Sequence, residues 1–308
     1  VVADIGSPEE LIAAQPSQLC LAEAEDAEEW LEKTHFSDDS YKNKRGHALM
    51  IAGSESYSGA AVLSGNAAMR SGVGLVTVAT PEECKTEIAS RLLPDVILTA
   101  IGSESFPEIL SNADSIAVGC GLSATDKGVE KAVRAIIENR NAPVIVDAGA
   151  LWFFNPPAGI PAALSGQLPL IFTPHEGEFM RLLGTEDKDA VKDRVAAVRN
   201  FCREHNVILI LKGQRVLIGE PGGKVVVNPT GNSGLGKAGN GDTLTGILAG
   251  FVAQAVKFKI EIFETVVAAV YVAGMAGDIA ETKYGKRVMT ASDVRECLTE
   301  AFSEFEIT

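Results

Sequence analysis

No run of about 18 uninterrupted apolar residues occurs anywhere in the sequence, so no membrane span is expected. The longest apolar stretch, Val266 to Ala276, is broken by Gly274 and reads as a buried helix. Basic residues are scarce. The 27 Lys and Arg face 41 Asp and Glu, and a net charge of −14 is a poor footprint for nucleic acid. Cysteine is scarce too: the five (20, 84, 120, 202, 297) are scattered, with no CxxC and no paired His spacing. That excludes a zinc site and a disulfide framework, and no metal-ligating residue is assigned. The start carries no charged-then-apolar secretion signal, so a reducing cytoplasm is the expected location. It begins at Val1 rather than Met, as a processed chain or a fragment would.

What is present is globular composition: 46% apolar residues, 30 Gly and 13 Pro in 308 residues. Charge is unevenly spread. Residues 1–40 hold eleven carboxylates against Lys33 alone, ten of the fourteen net negative charges. They read as an acidic lead-in or linker, with a solvated helix over Glu23 to Lys33. Residues 41–308 read as one catalytic domain.

From Tyr41 onward, short apolar runs alternate with amphipathic stretches. Ala48–Ala52, Leu75–Ala79, Asp95–Ile101, Ser115–Val118, Pro143–Val146, Leu168–Phe172 and Val207–Leu211 read as strands. Ser58–Arg70, Lys127–Asn139 and Asp187–Glu204 read as helices between them. Strands without polar alternation, separated by helices, predict an α/β fold with a mainly parallel sheet covered on both faces. Arg215–Ile218 and Lys224–Val227 read as a hairpin around Gly222 and Gly223, and helices over 241–256, 261–281 and 291–303 close the chain.

In open α/β sheets ligands sit beyond the carboxyl ends of the strands, and four such ends carry unusual residues. Gly53 to Ala61 leads into a helix of small residues, where a ligand or a neighbouring element can approach closely. Gly119-Cys-Gly121 fits a dinucleotide fingerprint, with Asp147 as the ribose acid, although three strand–helix units precede it. His175 stands where a strand ends and a helix begins, flanked by Pro174 and Gly177. The fourth, Asn228 through Gly246, is the most specific. Its dense glycines leave backbone N–H groups for an anion, and a helix starting near Gly241 aims its positive end at the same point. Asp242 at that start can cap the helix or act as a base towards a hydroxyl, an arrangement suited to phosphoryl transfer.

Gly-x-Gly-Asp opening a helix resembles the signature of ribokinase-like small-molecule kinases. The wider set is similar to one branch, the ADP- or ATP-dependent NAD(P)H-hydrate dehydratases. The matching segments are Lys42–Gly46, Gly59–Ala61, Ala68–Leu75, Gly119–Leu122, Asp147–Leu151, Thr173–Phe179, Leu211–Gly213 and Asn228–Gly246. Three positions depart from the usual pattern: Asn240 stands for Thr, Glu176 for Pro, and Cys120 for Pro.

The resemblance implies a ribokinase-like three-layer α/β/α fold and repair of hydrated NADH and NADPH. The terminal phosphate of ADP or ATP, with Mg2+, would pass to the hydrate's hydroxyl and then be eliminated. Asp242 would be the base, and Gly239, Asn240 and Gly241 the anion hole. Lys212, Gly213, Gln214, Arg215, Val216 and Gly241 would contact the nucleotide; Ala60, Gly121, His175 and Asp242 would line the hydrate side. A homo-oligomer is implied, tetrameric in related proteins. Val2 to Gly6 resembles the end of an epimerase domain fused upstream. The alternatives are a ribokinase-like kinase acting on a hydroxymethyl-pyrimidine or hydroxyethyl-thiazole, and a non-catalytic nucleotide sensor.

Overall fold

Ten strands form a single sheet in the computed structural model, which describes Pro8 and residues 17–156, 159–160 and 168–305. In chain order they are β1 (Leu19–Leu21), β2 (His47–Ile51), β3 (Leu75–Thr80), β4 (Ile97–Ala100), β5 (Ser115–Val118), β6 (Val144–Val146), β7 (Leu170–Phe172), β8 (Ile208–Leu211), β9 (Leu217–Gly219) and β10 (Val225–Val227). Across the sheet the order is β1-β10-β9-β8-β7-β6-β5-β2-β3-β4, and only β9 runs against the rest. The expected parallel α/β sheet and its hairpin are both present.

Each central strand buries both faces, which is why it reads as a continuous apolar run. The pleat sends alternate residues to opposite sides: Ala48 and Met50 into one core, Leu49 and Ile51 into the other. The first core lies under the helices Ser58–Met69, Asn240–Phe258 and Ile262–Tyr284; the second lies under Lys127–Glu138, Glu176–Leu182 and Arg194–His205. Ile262–Tyr284 is long and apolar enough to cross a membrane by length and composition, yet it packs as a core helix against Asn240–Phe258.

Small residues bring Ser58–Met69 and Asn240–Phe258 together. A Cβ on Gly246 would overlap the Ser64 carbonyl, and one on Gly250 the Ser71 hydroxyl. The helix expected over 187–204 is divided: a 3₁₀ turn over Lys188–Val191 precedes Arg194–His205, whose start is capped by Asp193 accepting from the Ala196 N–H at 2.9 Å. The last helix is divided as well, into Ala291–Glu296 and Leu298–Ser303.

The acidic segment departs from the expected lead-in. From residue 17 on it belongs to the same body: β1 pairs in parallel with β10, and the helix Ala24–Lys33 packs on Ile262–Tyr284. Its charged face is solvated, but Ala27 and Trp30 are buried. Trp30 stacks on Phe251 at 4.0 Å and donates its indole N–H to Thr265 Oγ1 at 3.1 Å. The Val2 to Gly6 match lies outside the described residues.

Candidate active site

Because the strands run parallel, the loops after β2, β5, β6, β7 and β8 gather at one edge of the sheet, and the N-terminus of Asn240–Phe258 points into the same place. Close backbone approach demands glycine there. Gly119 (φ +130°) leaves no room for a Cβ against the Asp147 carbonyl, and a Cβ on Gly121 (φ +69°) would lie 2.6 Å from the Tyr57 carbonyl oxygen and 2.8 Å from the Ala60 Cβ. Gly121, Ala60 and Tyr57 therefore form one wall.

Asp147 follows β6 and is almost fully buried. Its two carboxylate oxygens are both taken: Lys212 Nζ donates to Oδ1 at 2.8 Å, and the Thr245 hydroxyl donates to Oδ2 at 2.9 Å. Burial pushes the Asp147 carboxyl up, but the Lys212 ammonium and these hydrogen bonds hold it below the ordinary value. Burial pulls Lys212 down, while the charges of Asp147 and Glu178 hold it above. Asp147 is buried beneath Lys212 and Thr245, out of reach of a ribose, which removes the dinucleotide-fingerprint reading of Gly119 to Gly121.

The helix Asn240–Phe258 starts at Gly239 (φ +93°), and no side chain caps it. Asp242 is its third residue and does not cap it, so that reading is set aside. The N–H groups of Gly241 and Asp242 meet no acceptor among the described residues. Much of the Gly-rich loop is otherwise committed. The Gly231 N–H donates to Asp278, Gly234 to Asn232 Oδ1, and Leu235 and Gly236 to the Asn232 and Ser233 carbonyls. The anion-binding capacity expected of the whole run is thus concentrated at its last residues.

Asp242 is half-buried. Burial first, and then the Asp147 charge, push its carboxyl up to about 6, against the opposing pull of the Cys120 thiol and Lys212. Cys120, fully enclosed, is pushed well up by burial and by the two carboxylates.

Beside this point opens a cleft of about 790 Å³. Lys212, Gly213, Gln214, Arg215, Val216, Asn240 and Gly241 all line it, whereas Asp242, Ala60, Gly121 and His175 do not. The two expected residue sets thus meet at the helix start, with Gly241 facing the cleft and Asp242 outside it. Asn240 Oδ1 and the buried Thr243 hydroxyl, at the cleft wall, have no partner among the described residues. Lys212 also sits under the helix start: a Cβ on Gly241 would lie 3.4 Å from its Nζ.

His175 is exposed and bridges to Lys212 through the backbone. Its Nδ1 accepts the Glu178 N–H at 3.2 Å, and Glu178 Oε2 accepts the His175 N–H at 2.8 Å. This capping box gives His175 a structural task and leaves the ring proton on Nε2. Among the described residues no three His, Cys, Asp or Glu converge as metal ligands. The pairing of Asp147 with Thr245, 98 residues apart, had no local signal in the sequence.

The profile of the NAD(P)H-hydrate dehydratase family matches residues 48–300. A bifunctional NAD(P)H-hydrate repair enzyme from Moorella thermoacetica is 36% identical over 308 residues, covering 96% of this chain and 56% of its own length. An ADP-dependent (S)-NAD(P)H-hydrate dehydratase from Bacillus subtilis is 32% identical, covering 87% of this chain and 93% of its own. The crystal structure of the B. subtilis ADP/ATP-dependent enzyme, co-crystallized with ATP and Mg2+, superposes with a TM-score of 0.77 at 30% identity, over 88% of this chain and 94% of that one. With its ribokinase-like sheet and a Gly-Asn-Gly-Asp helix start facing a deep cleft, the chain belongs to the NAD(P)H-hydrate dehydratase family.

Proposed function

We propose that this chain uses ADP or ATP to dehydrate hydrated NADH and NADPH. The observation that carries the reading is Asp242: a half-buried carboxyl raised to about 6, on an uncapped helix start beside a nucleotide-sized cleft and in contact with Cys120, the neighbour of Gly121. Asp242 takes the proton of the hydrate's hydroxyl, whose oxygen attacks the terminal phosphorus. The bond to the nucleotide breaks, leaving AMP from ADP or ADP from ATP. Charge on the transferring group is met by the free N–H groups of Gly241 and Asp242 and by Lys212, whereas the Asn240 N–H, expected in the anion hole, donates to the Lys237 carbonyl at 3.4 Å. Hydroxide is a poor leaving group and phosphate a good one. The C–O bond then breaks with its electrons on phosphate, and the neighbouring ring carbon gives up a proton to restore the double bond.

The nucleotide occupies the cleft along Lys212 to Val216, and the hydrate lies against Ala60, Gly121 and His175. Among the described residues no cluster of His, Cys, Asp or Glu forms a magnesium cage. Mg2+ fits only as an ion carried by the nucleotide, where it neutralises phosphate charge. The chain spans 56% of the length of the bifunctional Moorella relative and 93% of the Bacillus subtilis one, so relatives of both lengths share this domain.

The test is incubation of the chain with hydrated NADH, Mg2+ and ADP or ATP. Return of reduced-nicotinamide absorbance with equimolar inorganic phosphate is expected. A stable phosphorylated hydrate without that return would assign a kinase instead, and nucleotide binding without turnover would assign a sensor.

A further inference from the structure

The cleft is walled by loops, and the segment Gly213 to Val216 holds an unusual backbone. Gly213 has φ +145°, and Arg215, which is not a glycine, has φ +58°. Such a conformation persists only when its surroundings fix it. What fixes it is Arg194, the first residue of the helix Arg194–His205, which does not line the cleft. One terminal nitrogen of its guanidinium donates to the Gln214 carbonyl at 2.6 Å and to the Arg215 carbonyl at 3.3 Å. The other terminal nitrogen lies 3.3 Å from where a Cβ on Gly213 would sit. The Arg215 side chain, held in this way, donates to the Pro229 carbonyl at 2.8 Å, on the loop of the Gly-rich run. A continuous tie therefore runs from Arg194 through the 213–216 turn to the 228–230 loop.

We propose that Arg194 is a positioning residue for the nucleotide: it fixes the 213–216 turn and, through Arg215, the separation of the two loops that wall the cleft. The inference rests on the reading that this cleft takes an adenine nucleotide. Arg suits the task because its planar group sets one terminal nitrogen between two carbonyls while the other lies against Gly213; Lys, a point charge on a flexible stem, fixes neither direction.

The test is calorimetric titration of ADP into the wild-type chain, Arg194→Lys, Arg194→Gln and a control, Arg199→Lys. Arg199 stands on the same helix and donates to the Gly223 carbonyl at 2.8 Å, at the hairpin turn away from the cleft. Loss of the guanidinium that holds the turn should weaken ADP about tenfold in both Arg194 variants. The KM for the hydrate should stay unchanged, and Arg199→Lys should bind ADP as the wild type does. If Arg194→Gln fails to fold, Arg194→Lys, which keeps the charge, carries the comparison. Wild-type ADP affinity in Arg194→Lys, or an equal loss in Arg199→Lys, would overturn the inference while leaving the cleft's assignment intact. Failure of the wild-type chain to bind ADP would overturn that assignment, and this inference with it.

Discussion

Lys212 and Asp147 form an ion pair at 2.8 Å directly beneath the N-terminus of the helix Asn240–Phe258. Asp147 is closed off from solvent, while Lys212 keeps an edge on the cleft. The pair couples the end of β6 to the end of β8 and sets the charge felt by Asp242. Three properties of the site follow from this arrangement and one from the acidic segment.

Asp242→Asn should lower turnover by about 10²–10⁴-fold, the usual worth of a positioned base. Since Asp242 does not cap its helix, folding should not suffer. Its pKa rises from 3.8 unfolded to about 6 folded, so the folded state binds more proton between those values and stability falls as pH rises through that window. At pH 8 the Asn variant should therefore melt at or above the wild type in a thermal scan. A lower melting temperature with unchanged turnover would reverse the assignment.

The pH profile follows from the same group. The base form of Asp242 is the active one, so kcat/KM should climb with pH to a plateau, with a midpoint near 6. Ionised Asp147 helps hold that midpoint up, so Asp147→Asn should shift it to lower pH. A midpoint that does not move would show that Asp147 does not act on Asp242.

Lys212→Met leaves Asp147 buried with a hydroxyl partner but no counter-charge. Breaking such a pair from one side costs about 3–5 kcal/mol, seen as a lower denaturation midpoint. The double variant Lys212→Met/Asp147→Asn should recover most of that loss. Nucleotide affinity should stay low in both, because the ammonium under Gly241 is gone from each. Full recovery of ADP binding in the double variant would limit Lys212 to a structural task.

Trp30→Ala removes the stack on Phe251 and the bond to Thr265, and should cost about 3–5 kcal/mol in chemical denaturation. A loss below about 0.5 kcal/mol would mean that the acidic segment is only loosely joined to the body.

How much was legible in the sequence depended on how local each signal was. Strands β2, β3 and β5 to β8 were readable because burial of both faces forces an unbroken apolar run, and β4, an edge strand with Ile97 exposed, was readable from its β-branched and apolar residues. β1 was not: Leu19 and Leu21 are exposed on an edge strand of three residues, so neither hydrophobic period nor length marks it. The helix over Ala24–Lys33 was readable, but its burial was not, since two inward residues, Ala27 and Trp30, sit among carboxylates that dominate the composition.

The sequence by itself determined the layer architecture, the Gly239-Asn240-Gly241-Asp242 helix start and the family, because each is written in contiguous residues. Tertiary structure alone decided which backbone N–H groups remain for an anion, since Asp278 and Asn232 occupy several of them first. It alone paired Asp147 with Lys212 across 65 residues and brought Arg194 beneath the Gln214 and Arg215 carbonyls. The reason is physical. A hydrogen bond or ion pair between distant residues depends on where parallel strands end, and that is fixed by the whole sheet rather than by any local run.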